Sequence, residues 1–439
     1  MTAPSTLKQL LALAVPTFGQ LIAEPVFVLI DTAIVGHVSD AALAGLSLGS
    51  TVILTAVGLC IFLAYSTTSQ VAHLLGAGRR REGLQAGMDG LWLSAAIGAV
   101  LAAALLIFAG PLCEALGGRG DDARLGAVYV QTVALGVPGM LLVYAANGIF
   151  RGLQNVRITL VAAACGAALN TALDILFVIG FGWGIAGSGI ATCIAQWFMA
   201  AFLVIPAVRW AVSGGAGLRP RAAGVASAGG DGLPLFLRTL ALRAGLVATV
   251  MAAASLGTDV LAGYQVVNAT WNFALNVLDS VAIAGQTLAG ARLGAKDHAG
   301  ARALVRETAR AGLLAGAAVG AAFALAGLAA PGLFSPSQNV REIATVGMVV
   351  VGVGLPLQGW MWALDGILIG AGDFRYLALT CALASAAHIA TLCALVFAAP
   401  LLPSGLVRVA LLWTAFDIVL MGGRALANGL RIRSDRWMR

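Results

Sequence analysis

The chain has 439 residues, of which 60% are apolar and only 10% charged, with a net charge of +7 and a mean hydropathy of +0.94. Soluble domains carry about a quarter of their residues charged, so this composition excludes a soluble globular protein and indicates a polytopic helical membrane protein. The positive balance does not point to nucleic acid, because the basic residues follow membrane topology, and the 56 glycines suit helices that pack closely in lipid.

Hydropathy predicts about twelve spans of about 20 or more residues, at 11–35, 44–70, 88–112, 125–150, 158–180, 186–208, 233–255, 262–290, 306–330, 342–370, 377–399 and 405–426. MTAPSTLKQL runs into the first without a small-residue cleavage site, so that helix is expected to remain as an anchor. Within it, Pro16 to Gly36 holds two carboxylates, Glu24 and Asp31. A charge at mid-bilayer costs at least about 2.5–3.5 kcal/mol, so such residues usually face a water-filled cavity. Seven positions at about 100° each bring both onto one face. The alternative puts Glu24 near the membrane surface and Asp31 at the helix end.

Span four offers Tyr129, span five Asn170 and Asp174 on one face at i, i+4, and span six Thr192. This set can bind a proton, or an alkali cation through oxygen ligands; the alternative is interhelical hydrogen bonding. The stretch 211–232 is rich in Gly, Pro and Arg and reads as a cytoplasmic linker between an N-lobe (1–210) and a C-lobe (233–439). Arg238 and Arg243 fall in span seven, and Asn268, Asp279 and Gln286 in span eight. Asp365 lies in span ten, after Trp360 and Trp362. Pairing of Arg243 with Asp279 or Asp365 would neutralise charge at depth; otherwise these residues line the C-lobe face of a cavity.

With the N-terminus inside, 20 of the 26 Lys and Arg lie in cytoplasmic segments and four on the opposite side. That bias places both termini in the cytoplasm of a plasma-membrane protein. The six cysteines lack CxxC spacing and read as small buried hydrophobes, with neither disulfide nor metal implied.

The second half repeats the first at an offset of 218. Pro16 pairs with Pro234, Leu75-Gly76-Ala77 with Leu293-Gly294-Ala295, Gly136 with Gly354, Pro138 with Pro356 and Arg157 with Arg375. An even number of spans per half makes the repeat parallel, a transporter signature. Asp31 and Glu24 have Thr249 and Leu242 as counterparts, so the acidic stripe is specific to the first half. Desolvation favours the protonated form of a buried carboxyl, and two neighbouring carboxyls can share a proton. Such groups also attract an organic cation when ionised, and competition between the two ligands is antiport in its simplest form.

The chain resembles the multidrug and toxic compound extrusion (MATE) transporters, in particular their DinF-like branch. The resemblance is carried by EPVFVLIDTAIVGH (24–37), the LGAG and LGAK turns, NGIFRGLQNVR (147–157), NTALD (170–174), LDSVAIAGQ (278–286) and DGILIGAGDFRY (365–376). It implies an all-α fold of twelve helices in two pseudo-twofold-related six-helix lobes, forming a V around a central cavity. It also implies export of amphipathic, often cationic compounds driven by H⁺ or Na⁺, with no other cofactor, by a monomer. Asp31, Asn170, Asp174 and Thr192 match the family's N-lobe cation site, and Tyr129 a tyrosine beside it. Phe27 stands where the family often has tyrosine, and Arg238 and Arg243 stand in the span where some branches place a glutamate. The DinF-like branch favours H⁺; the four oxygen-bearing residues also suit Na⁺. A flippase of lipid-linked intermediates shares the broader fold but calls for a basic cavity. A membrane enzyme lacks support in a chain whose four histidines (His37, His73, His298, His388) are dispersed and mostly at loops, and a non-transporting scaffold leaves the buried acids without a role.

Overall fold

The computed structural model describes residues 5–36, 38–329, 332 and 337–438, apart from the side chains of Glu24 and Phe27. Residue 330, the expected limit of span nine, and His37 lie outside the described residues. Every described element is a helix. In chain order they are α1 (Thr6–Gly36), α2 (Asp40–Leu59), α3 (Phe62–Gly76), α4 (Arg80–Ala115), α5 (Gly120–Ala134), α6 (Val137–Gly152), α7 (Val156–Asp174) and α8 (Gly184–Ser213). There follow α9 (Ala222–Leu256), α10 (Thr258–Gly294), α11 (His298–Ala329), α12 (Gln338–Gly370), α13 (Phe374–Ala398), α14 (Gly405–Ala415) and α15 (Gly422–Arg433). Six-residue π-helical segments continue α7 (Ile175–Gly180) and join α14 to α15 (Phe416–Met421).

Ten of these helices, or runs of helix, are long and apolar enough to cross a bilayer, and α5 with α6, bent by 51°, makes an eleventh span. The 37-residue α10 is the twelfth; its Gln265, Asn268, Asn272, Asp279 and Gln286 lower its hydropathy without shortening it. The α5–α6 bend sits at Gly136, just before Pro138, whose missing N–H starts a new helix more readily than it continues an old one.

Helix limits repeat at the offset seen in the sequence. The run from Asp40 to Gly76 becomes α10 from Thr258 to Gly294 (258 − 40 = 218), and Gly120–Gly152 becomes α12 at 338–370. The turns repeat too. Gly78 (φ 74°) corresponds to Lys296 (φ 59°), and Gln154 (φ 58°) to Gly372 (φ 77°). A side chain in this left-handed region is disfavoured by about 1 kcal/mol or more, a penalty glycine escapes. Lys296→Gly is therefore expected to raise stability by about 1 kcal/mol and Gly78→Lys to lower it by a similar amount. Thermal unfolding in detergent measures both.

The chain divides into two compact units, one of Gly19–Gly232 and one of Leu233–Arg439 together with Met1–Phe18. The expected linker at 211–232 is mostly helical: α8 continues to Ser213 and α9 starts at Ala222, leaving 214–221 as the connection. Helix α4 holds this strap. Gln85 Oε1 accepts from the Gly217 N–H at 2.7 Å, Asp89 accepts from the Arg221 N–H and guanidinium at 3.1 Å, and Trp92 Nε1 donates to Leu218 O at 2.9 Å. The first turns of α9 stay with this unit because their small residues fit against it. Gly224 lies against Asp89 and Gly232 against Phe62, and Asp231 accepts from Gln70 at 2.9 Å.

In the second unit, Gly312, Gly316 and Gly320 form a stripe of small residues on α11. A Cβ at these positions would come within 2.3 Å or less of the Gly359, Leu355 and Gly352 carbonyl oxygens of α12. Only glycine permits that backbone approach. All six cysteines are free; Cys60, Cys113 and Cys381 are buried as expected, whereas Cys165 and Cys393 are exposed.

Candidate functional site

The Gly19–Gly232 unit encloses a cavity of about 150 Å³ bounded by α1, α2 and α5–α8. Asp31, Tyr129, Asn170 and Thr192, four residues singled out from the sequence, all line it, beside Gln20, Tyr144 and Asn147. Its apolar wall includes Met140 and Met199. Asp31 is only 3% exposed. Its Oδ1 accepts a 2.6 Å hydrogen bond from the Ser188 hydroxyl, one turn before Thr192 on α8. The sequence reading missed Ser188; its i, i+4 spacing to Thr192 was the available signal.

Asp174 does not reach the cavity wall. It is fully buried at the end of α7, where the π-helical segment begins. Asn170 bridges it to the cavity. The Asn170 amide is assigned with nitrogen toward the carboxylate, because Asp174 there only accepts and the Thr192 N–H only donates. It then donates to Asp174 Oδ2 and accepts from Thr192 N–H, both at 3.2 Å. Asp174 Oδ1 has no hydrogen-bond partner among the described residues. Tyr129 hydrogen bonds to the Thr192 side chain and lies within electrostatic range of both carboxyls, which are close enough to each other to repel when ionised. Among the described residues, neither Asp31 nor Asp174 is paired with a cation. The group therefore offers two carboxyls and neutral hydrogen-bonding partners, with Asp31 on the cavity wall. Glu24 and Phe27 have side chains outside the described residues, so their expected places beside this site stay as sequence expectations.

The second unit departs from expectation. Asp365 does not serve a cavity face as the sequence suggested. It is fully buried and paired with Arg238 and, at 2.5 Å, with Arg424, while Asn428 Nδ2 donates to its Oδ1 at 2.7 Å. The expected cation, Arg243, is exposed and forms no ion pair among the described residues. Asp279 is half-buried and accepts from Trp362 Nε1 at 2.6 Å. The Trp362 ring in turn lies under the Arg424 guanidinium at 4.9 Å. Gln286 is buried on α10, and Asn268 is half-buried, accepting from Tyr264 at 3.5 Å. His388, expected among residues mostly at loops, is completely buried on α13 and bonded to Thr249 at 2.9 Å. Arg424, Asn428, Gln358 and Asp417 were also missed.

The MatE family model matches residues 16–176 and 234–399, the two copies of the repeat. Among curated relatives, Protein DETOXIFICATION 44, chloroplastic, of Arabidopsis thaliana is 28% identical over 84% of this chain and 73% of its own length. DNA damage-inducible protein F of Escherichia coli is 26% identical over 83% of this chain and 80% of its own. The probable multidrug resistance protein NorM of Deinococcus radiodurans is 28% identical over 84% and 82%. Other plant relatives are matched over only 47% and 53% of their length. Among solved structures, a MATE in complex with MaD3S superposes with a TM-score of 0.86 at 18% identity, covering 98% of this chain and 97% of that one. The Vibrio cholerae MATE transporter VcmN in its bent form gives 0.86 at 21% identity, covering 99% and 98%. At these identities the superpositions establish the fold: two lobes of six spans.

Proposed function

The chain belongs to the MatE family, whose members are secondary transporters and not enzymes, and from that premise we propose that it exports amphipathic organic cations in exchange for H⁺. The reading rests on one observation. Asp31 lies in a largely apolar cavity with neutral hydrogen-bond donors and, among the described residues, no cation paired with it. A buried carboxylate without a counter-ion is costly. It is relieved by taking a proton or by accepting a cationic guest, and the two reliefs exclude one another.

In this mechanism an organic cation enters while Asp31 is ionised and accepting from Ser188. Protonation of Asp31 cancels the attraction and expels the guest. Asp174 shares the proton, with Asn170 and Thr192 holding the pair and Tyr129 closing one side. Glu24 extends the acidic stripe along the first span. The protein works as a monomer in the plasma membrane with both termini cytoplasmic, and binds no nucleic acid. Sodium is the runner-up ion, because Asp31, Asn170, Asp174 and Thr192 supply only oxygen ligands, which suit a hard cation. Flipping of anionic lipid intermediates fits less well, since no Lys or Arg is among the described residues lining the cavity.

Purified protein in lipid vesicles is expected to export tetraphenylphosphonium when a pH gradient is imposed alone. A Na⁺ gradient alone is expected to have no effect. The reverse result transfers the role of coupling ion to Na⁺, and no response to either gradient rejects the proposed antiport.

A further inference from the structure

The offset of 218 carries the first unit's cavity onto a filled core in the second. Leu46, Ile53 and Ala195, which line the cavity, correspond to Tyr264, Trp271 and Trp413. These rings pack on one another and on Phe416, with centroids 5.0–5.3 Å apart, so no equivalent void remains among them. The polar positions are also exchanged. Asp31 and Asn170 give way to the hydrogen-bonded pair Thr249 and His388, while the cavity methionines 140 and 199 become Gln358 and Asp417.

Asp417 is only 6% exposed and sits in the π-helical segment Phe416–Met421. Such segments are rare and concentrate at functional sites; the other one among the described residues directly follows Asp174. Trp271 Nε1 donates to Gln358 Oε1 at 2.9 Å, which fixes the amide with its nitrogen toward Asp417. Gln358 Nε2 then donates to Asp417 Oδ1 at 2.7 Å.

Several charged and titratable groups on the helices packed around this segment are already engaged. On α12, Asp365 holds Arg238 and Arg424, so the Arg424 of α15 is committed as well. On α14, Arg408 donates to the carbonyls of Leu256 and Ala399. On α13, the His388 ring is hydrogen-bonded through Nε2 to the Thr249 side chain at 2.9 Å, and the Thr249 hydroxyl also donates to Gly245 O at 2.8 Å. Among the described residues no cation pairs with Asp417. Asp365 is thus a permanently compensated carboxylate, whereas Asp417 is compensated only when it carries a proton.

We propose that Asp417 is a second exchangeable proton site, lying in the second unit and separate from the Asp31–Asp174 pair. Gln358 occupies Oδ1, so the proton resides on Oδ2. It arrives from water and returns to water, and no other bond changes. The inference does not depend on the substrate or coupling proposed above, because it concerns a proton held by the protein itself.

The test uses the full-length protein in lipid nanodiscs and infrared difference spectra between acidic and alkaline buffer. Wild type is expected to show a protonated-carboxyl stretch that disappears reversibly on alkalinisation, and Asp417→Asn is expected to lack that component. Asp31→Asn should retain it. Gln358→Leu should keep the band but shift it, since its hydrogen-bond donor is gone. A pH indicator should register one proton fewer released per molecule from Asp417→Asn than from wild type. Identical spectra and proton counts for wild type and Asp417→Asn overturn the proposal, as does a wild-type band that no pH removes. If Asp417→Asn does not fold, the wild-type titration and the Gln358→Leu shift still decide the matter.

Discussion

Asp31→Asn is expected to reduce ion-driven export of a fluorescent organic cation by about 5–150-fold, the range that a coupling free energy of 1–3 kcal/mol represents, while leaving the protein folded and inserted. Asparagine has nearly the shape of aspartate, and its carbonyl can still accept from Ser188, which donates to Asp31 at 2.6 Å. The change removes only the ability to gain and lose a charge. Since Asp31 is paired with no cation among the described residues, its removal strands no opposite charge, and stability should hold or rise slightly. Transport in vesicles under an imposed pH gradient, set beside thermal unfolding of the same preparation, separates the two effects. Export at the wild-type rate would remove Asp31 from the mechanism, and loss of folding would show that its role is structural.

What could be read from the sequence depended on whether the signal lies within one helix. Asn170 with Asp174, and the place of Asp31 on its span, follow from helical spacing, because carboxylates are rare in apolar runs and their faces are fixed by geometry. Ser188 was not legible, since serine in a membrane helix is ordinary and only the fold brings it to Asp31. The choice of Arg243 over Arg238 as the buried cation illustrates the same limit. Five residues apart, the two lie about 140° apart around α9, so one faces the interior and the other does not, and the sequence does not say which. The structure puts Arg238 inside with Asp365 and leaves Arg243 exposed. Asp417 escaped because it stands against a methionine in the other copy of the repeat, so no matching residue drew attention to it. The linker was overextended because Gly224 and Gly232, read as breakers, are the small residues that let α9 lie against Asp89 and Phe62.

The same chemical change at Asp365 is expected to act in the opposite way. Asp365→Asn should destabilise the protein by about 3–5 kcal/mol, because Arg238 and Arg424 would remain buried with their counter-charge removed. Arg424 cannot easily turn to solvent: it is 2% exposed and lies over the Trp362 ring at 4.9 Å. Replacing all three together, Arg238→Met, Asp365→Leu and Arg424→Met, takes away both the charges and their desolvation, and should be neutral or stabilising by about 1–4 kcal/mol if the volumes pack. Thermal unfolding in detergent across the single and triple variants measures this contrast. If Asp365→Asn melts with wild type, the Arg–Asp–Arg cluster is not what secures these helices. The distinction between a carboxylate locked by permanent cations and one free to change its charge would then fail in the unit where it is drawn most sharply.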